Sequence, residues 1–234
     1  MLASSSLLSK SQIDRLGERL KQQVTDEDLK LLNDYRNEFA DAYEEVIQTI
    51  GRVVKIEPSG RAAKTDRSIV AKLRRESIRL SQIQDIAGVR IVVEDLAEQD
   101  RVTSRIAGEF QHVSVVDRRA NPSHGYRAVH VIVRVNEKLV EIQIRSTLQH
   151  EWAQFSEALS DRFPGLKYGE GHPRHYQFLI ALSEWIEAVE GRSGVSGEEA
   201  DVESDELGKK LSDPRAVVAI MEMLRKLILD APEG

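Results

Sequence analysis

The sequence has no cysteine in 234 residues. That removes disulfides, Cys-ligated zinc, iron–sulfur clusters and thiol catalysis together. No apolar run approaches the ~18 residues that a membrane-spanning helix needs. The first ten residues, Met1 to Lys10, lack a charged start and a long hydrophobic stretch, so no secretory signal is expected and the expected location is the cytosol. Three nucleotide- and metal-binding signatures are also missing: Gly-x-x-x-x-Gly-Lys-Ser/Thr, Gly-x-Gly-x-x-Gly and His-Glu-x-x-His. His112, His124, His150, His172 and His175 are scattered without ligand spacing, so no histidine metal site is expected. What remains is 41% hydrophobic and 31% charged, the balance of a globular chain. The length suits one or two domains.

Charge is segregated beneath a net value of −6. Arg52 to Arg79 holds nine basic residues and three acids, Glu57, Asp66 and Glu76. Thr25 to Gly51 is the reverse, with eight acids and two bases, and the stretch from Arg192 onward has ten acids against six bases. A basic segment between acidic ones is either a solvated helix face or a surface for an anion.

Periodicity divides the chain further. Ser9 or Ser11 is a cap for a first helix with Ile13, Leu16, Leu20 and Val24 on one face. Thr25-Asp26-Glu27-Asp28 opens a second, whose apolar positions keep helical spacing from Leu29 through Phe39 to Ile50. Pro58-Ser59-Gly60 reads as a turn or loop, and Asp66 as the cap of a basic helix. Gly88–Val93 and His112–Val116 are β-branched strands separated by a helix over Leu96–Phe110. Tyr126–Val135 and Leu139–Arg145 form a hairpin about a tight turn at Asn136-Glu137. Helices follow at Thr147–Leu159 and Pro173–Val189, then a linker from Gly191 and a last amphipathic helix, Pro214–Leu229. The expected class is α+β: a small mixed sheet of four to five strands flanked by helices, with helical N- and C-terminal extensions. The expected boundaries are an extension over 1–50, a core domain over 51–190, a flexible linker over 191–207 and a terminal helix over 208–234.

Few residues in this frame suit chemistry. Asp85 precedes one strand, and Glu141 lies mid-strand on another. They are either surface acids or two carboxylates converging at one end of a sheet, the hard oxygen pair that Mg²⁺ uses when substrate phosphates complete its shell. Glu141, Gln143 and Arg145 alternate with Val140, Ile142 and Ile144, so that polar face is exposed or walls a site. Tyr126 follows Gly125 and is either a core ring or a stacking platform for a base. Ser68, Lys72 and Arg75 form a stripe on the basic helix, with Arg61 and Lys64 just before it, which suits a polyphosphate.

Four blocks occur in order: Ser68-Ile69-x-x-Lys72-Leu73, Asp85-Ile86-Ala87-Gly88-Val89-Arg90, Gly125-Tyr126-Arg127-Ala128-Val129-His130 and Glu141-Ile142-Gln143-Ile144-Arg145. Together they resemble the synthetase domain of the RelA/SpoT family, over roughly Tyr35 to Tyr168, a nucleotidyltransferase-like fold. The resemblance implies an ATP-dependent pyrophosphokinase that moves the β,γ-pyrophosphate of ATP to a ribose 3′-hydroxyl. It implies Asp85 and Glu141 as catalytic residues and Mg²⁺ ligands, with Glu141 holding the metal or activating the hydroxyl. Arg61, Lys64, Ser68, Lys72 and Arg75 fall on the ATP side; Tyr126, His130, Gln143 and Arg145 on the acceptor side. Ala62 stands where the family carries an adenine-stacking Arg, and Arg61 is one residue further back. Pro122 and His124 replace a Lys and an Asn usual in alarmone synthetases. The form Pro-Ser-His-Gly-Tyr-Arg-Ala-Val-His resembles the toxic small members. That implies the tRNA 3′-CCA end as acceptor, with Arg118 and Arg119 on RNA phosphates, translation inhibition and a neutralising antitoxin protein as partner. GDP, GTP or an adenine nucleotide as acceptor is the alternative, and an inactive nucleotide-binding module a further one.

Overall fold

The structure is a computed structural model describing residues 8–193 and 213–230. Its helices are α1 (Lys10–Gln22), α2 (Asp26–Asn37), α3 (Ala40–Val54), α4 (Asp66–Arg75), α5 (Leu96–Glu109), α6 (Thr147–Arg162), α7 (Pro173–Ser193) and α8 (Pro214–Asp230). Its strands are β1 (Ser59–Arg61), β2 (Ala87–Val93), β3 (Val113–Asp117), β4 (Val129–Val135) and β5 (Lys138–Ser146). They form one mixed five-stranded sheet in the order β1-β2-β5-β4-β3, the expected α+β class.

The chain divides into two compact units. The first takes Met1–Ile91, Arg105–Val115 and His130–Gln143. Here α1 packs on α2, α4 and a 3₁₀ turn at Leu80–Gln82, and α2 also meets α4. Leu16, Leu20, Leu32, Ile69 and Leu73 on these helices are fully buried, as are Val46 and Ile50 on α3. β1 pairs antiparallel with β2, Gly60 opposite Val89. A Cβ on Gly60 would stand 2.5 Å from the Gly88 carbonyl oxygen, so only glycine lets these strands close. The β4–β5 hairpin turns through Asn136 (φ 48°) and Glu137 (φ 62°), two left-handed residues in succession, the backbone of a type I′ turn.

The second unit takes Val92–Ser104, Val116–Val129 and the chain from Ile144. Its core packs α6 against α7 and α8 through Leu148, Trp152, Phe155, Leu159, Leu179, Leu182, Ile186, Val217 and Met221. The Trp152 indole donates to the Leu179 carbonyl at 2.9 Å, which pins α6 to α7.

Several expectations change at this level. Pro58-Ser59-Gly60 is not simply a loop: Ser59–Arg61 is an edge strand created by pairing with β2. The helix expected from Thr25 to Ile50 is two helices, broken at Glu38 and Phe39. Both residues keep helical dihedrals and Phe39 is buried edge-on to Tyr35, so hydrophobic spacing runs through a break in the hydrogen-bond ladder. Thr65, not Asp66, caps α4: its hydroxyl accepts from the Ser68 N–H, and Asp66 is the first helical residue. The first expected hairpin strand begins at Val129 rather than Tyr126, because Ser123 and Tyr126 close a tight turn first. Of the expected linker, residues 191–193 belong to α7, which runs on to Ser193, and 194–207 lies outside the described residues.

Candidate active site

Asp85 lies two residues before β2 and is gripped at both oxygens. Lys64 donates to Oδ2 at 2.5 Å and Lys72 to Oδ1 at 3.0 Å. Lys64 is set by its own backbone, whose N–H donates to the Ile86 carbonyl at 2.7 Å. Lys72 is set by α4, whose other face buries Ile69, Val70 and Leu73. Burial alone would raise the Asp85 carboxyl, but the two ammonium groups outweigh it and hold the pKa below the ordinary carboxylate range.

Glu141 sits on β5 and is buried. Its Oε1 lies 3.0 Å from His130 Nδ1 on β4, and its Oε2 accepts from Gln143 Nε2 at 2.8 Å. Burial pushes this carboxyl up as well; the His130 and Gln143 contacts prevail and its pKa is lowered. Asp85 acts on it in the opposite sense, so the two carboxylates feel one another's charge. The first unit therefore gathers Lys64, Lys72, Asp85, His130, Glu141 and Gln143. Two ionised hard-oxygen ligands that repel each other among cations fit a Mg²⁺ completed by substrate phosphates.

Not all of the basic stripe joins them. Ser68 takes part in the α4 cap, its hydroxyl accepting from Thr65 at 2.8 Å. Arg75 pairs with its neighbour Glu76 at 2.9 Å, and Arg61 is exposed on β1.

In the second unit Tyr126 is half-buried, and the Arg145 guanidinium donates to its hydroxyl at 3.1 Å. Arg145 Cζ also lies 5.0 Å from the Tyr126 ring centre, within cation–π range. Gly125 precedes the ring at φ +84°, and a Cβ there would meet the Trp152 ring at 2.8 Å. Arg119 is committed to Asp117 and Asp100, at 2.6 and 2.7 Å. Arg118 has its backbone tied to the Ala128 carbonyl at 2.9 Å.

Sequence reasoning missed Arg127. It is buried, donates to Ser183 Oγ at 3.0 Å and Glu187 Oε2 at 2.6 Å, and also donates to the Arg119 carbonyl. Ser183 in turn donates to the Gly125 carbonyl at 2.6 Å. This network fastens both ends of the 119–125 loop to α7 and so fixes the turn that presents Tyr126. The available signal was a lone cation beside Ala128 and Val129, in a run that needed burial. A separate cavity of about 700 Å³ in this unit, walled by Leu96, Leu148, Pro214 and Val218 among others, contains none of the expected site residues.

Residues 60–162 match the family model described as the region found in RelA/SpoT proteins. An uncharacterized protein of Mycobacterium tuberculosis is 46% identical over 113 residues, 46% of this chain and 41% of that one. A GTP pyrophosphokinase of Bacillus subtilis is 34% identical over 113 residues, 42% of this chain and 53% of that one. This chain thus spans about half or less of those two relatives' length. Among solved structures, the small alarmone synthetase 1 of Bacillus subtilis, bound to its product pppGpp, superposes with a TM-score of 0.57 at 25% identity, covering 70% of this chain and 95% of that one.

Proposed function

Because this chain carries the region found in RelA/SpoT proteins on the fold of a small alarmone synthetase, we propose that it transfers the β,γ-pyrophosphate of ATP to a ribose 3′-hydroxyl. The observation that carries the reading is the cluster of Lys64, Lys72 and Asp85 with the electrostatically coupled Glu141. In the step, the 3′-hydroxyl gives its proton to solvent, its oxygen bonds to the β-phosphorus, the bond from that phosphorus to the oxygen bridging to the α-phosphorus breaks, and AMP leaves. Such a transfer needs alignment and charge neutralisation more than covalent help. Lys64 and Lys72 supply cations to the phosphate chain. Asp85 and Glu141 would hold Mg²⁺, which when bound withdraws charge from the phosphates. Glu141 suits that role better than general base, because a carboxylate of lowered pKa takes a proton poorly. His130 and Gln143 fix its two oxygens. Tyr126, steadied by Arg145, offers a ring on which the acceptor base stacks.

For the acceptor we propose the 3′-terminal adenosine of tRNA, which makes the protein a translation-inhibiting toxin neutralised by an antitoxin partner. Pro122 replaces the Lys that the resemblance to alarmone synthetases would place near a free nucleotide's 5′ phosphates. Arg119 is already neutralised by two carboxylates, which leaves Arg118 as the cation of that pair for an RNA phosphate. The second reading, GDP or GTP as acceptor, is favoured by the activities that the two Bacillus subtilis relatives' names carry. Purified protein with ATP labelled at the γ-phosphate is offered deacylated tRNA, GDP, GTP and ATP in parallel. Label in tRNA at low salt is the expected result. Label in GDP or GTP, with none in tRNA, replaces the tRNA reading by the alarmone one.

A further inference from the structure

If Asp85 holds a metal while Lys64 and Lys72 hold phosphates, the three side chains face demands that cannot be met together. A cation about 2.1 Å from either Asp85 oxygen would stand within about 5 Å of the ammonium group on that oxygen, given the 2.5 and 3.0 Å contacts. The ammonium groups compete with a metal for the same lone pairs and repel it besides. The contacts are mostly buried: the side chains of Lys64, Lys72 and Asp85 keep 14, 22 and 18% of their exposure, so water screens the repulsion little. Glu141 differs, since its oxygens meet an imidazole and a carboxamide.

An anionic polyphosphate resolves the conflict. Its oxygens offer Lys64 and Lys72 a second, more highly charged partner, and each lysine that turns to it releases one Asp85 oxygen. Neither lysine is left unpaired in the exchange, so the buried charge stays compensated throughout.

We propose that Lys64 and Lys72 form an electrostatic gate on Asp85. The free protein binds a divalent cation weakly, and Asp85 becomes a metal ligand only once a nucleoside triphosphate has drawn the two lysines away, so that nucleotide and metal load together. The proposal rests on the assignment of Asp85 as a metal ligand and the lysines as phosphate ligands. It adds that the lysines suppress metal binding until the phosphates arrive.

The test is a titration of Mn²⁺, followed by the loss of the free ion's paramagnetic resonance signal, into the full chain without nucleotide. Wild type is compared with Lys64→Gln, Lys72→Gln and the double variant, and again after adding Asp85→Asn to each. The expected result is weak binding by wild type and an affinity about tenfold or more higher in the double variant, the effect of removing two cations within about 5 Å of a dication. The gain disappears with Asp85→Asn. Each single variant shows part of the gain, so the comparison survives if the double variant does not fold. Wild type binding Mn²⁺ as tightly as the lysine variants overturns the gate. Binding of α,β-methylene-ATP to wild type in EDTA is measured alongside. Its binding, weakened by either lysine substitution, supports the phosphate assignment. Failure of the analogue to bind with or without Mn²⁺ overturns the pyrophosphokinase reading itself.

Discussion

Cations meet carboxylates in both units, but to different ends. In the first, Lys64 and Lys72 share one carboxylate, and neither has a second side-chain partner among the described residues. Each ammonium carries three donors, so a phosphate chain can be taken up without stranding a buried group. In the second, Arg127 spends its donors on a hydroxyl, a carbonyl and a carboxylate, and Arg119 spends its own on Asp117 and Asp100. Those guanidinium groups are planar, multiply bonded and fixed. The difference teaches that a basic residue is available to a ligand when its partners can be exchanged, and serves as a strut when they cannot. In sequence the two kinds look alike.

Breaking the first cluster should have the largest effect. Asp85→Asn and Glu141→Gln each keep the shape of the side chain and remove the charge. Each is expected to lower transfer by about a hundredfold or more, the scale on which one electrostatic catalytic group acts, while the chain still melts cooperatively from a folded state. Product formation and melting are measured on the same samples, and near-normal turnover in either variant would contradict the site.

Tyr126→Ala is expected to cost about tenfold or more, the worth of one base stacked on an aromatic ring at ~1–3 kcal/mol. Tyr126→Phe should retain most activity. If it is as poor as alanine, the hydroxyl that accepts from Arg145 is the essential feature. A base-specific KM change at constant melting temperature sharpens the assignment.

Arg127→Ala tests the other kind of cation. It should destabilise the chain by about 2–3 kcal/mol, because it orphans buried hydrogen-bond partners. Lys64→Gln should barely change the urea midpoint. Equal stability losses in the two variants would erase the distinction between exchangeable and fixed cations.

The smallest effect is a pH dependence. Burial raises Asp85 and Glu141, yet their partners bring both below the ordinary 3.8 and 4.5. A carboxyl with a folded pKa below its unfolded one adds stability that is fully present above the unfolded value and is lost as pH falls through the folded value. Urea midpoints should therefore fall on acidification from pH 5 downward, and fall less steeply in Asp85→Asn. An unchanged slope would mean that the Lys64 and Lys72 contacts do not form in solution.

Much of the fold was legible because local chemistry agreed with it. Asn136-Glu137 between alternating strands announces the hairpin, and the β-branched run at Gly88–Val93 announces a buried strand. β1 was not legible: Ser59-Gly60-Arg61 is exposed throughout and becomes a strand only by pairing with β2. The break at Glu38-Phe39 was hidden because Phe39 still fills the core. Within the site, Asp85 and Glu141 could be named from their position around strands. That Lys64 and Lys72 grip one carboxylate, and that Arg75 and Arg119 are engaged elsewhere, depends on side-chain partners up to 21 residues apart. Arg127 escaped notice because burial gives it its role, and burial is set by α7, far along the chain.

The central claim is that the Lys64–Lys72–Asp85–Glu141 cluster moves a pyrophosphoryl group. The most direct measurement separates AMP from ADP after incubating the protein with ATP, Mg²⁺ and each acceptor in turn. The account predicts AMP formed in equal amount to an acceptor that has gained two phosphates at its 3′-hydroxyl, with both products lost in Asp85→Asn. ADP with a singly phosphorylated acceptor, or ATP left intact with every acceptor, would contradict it.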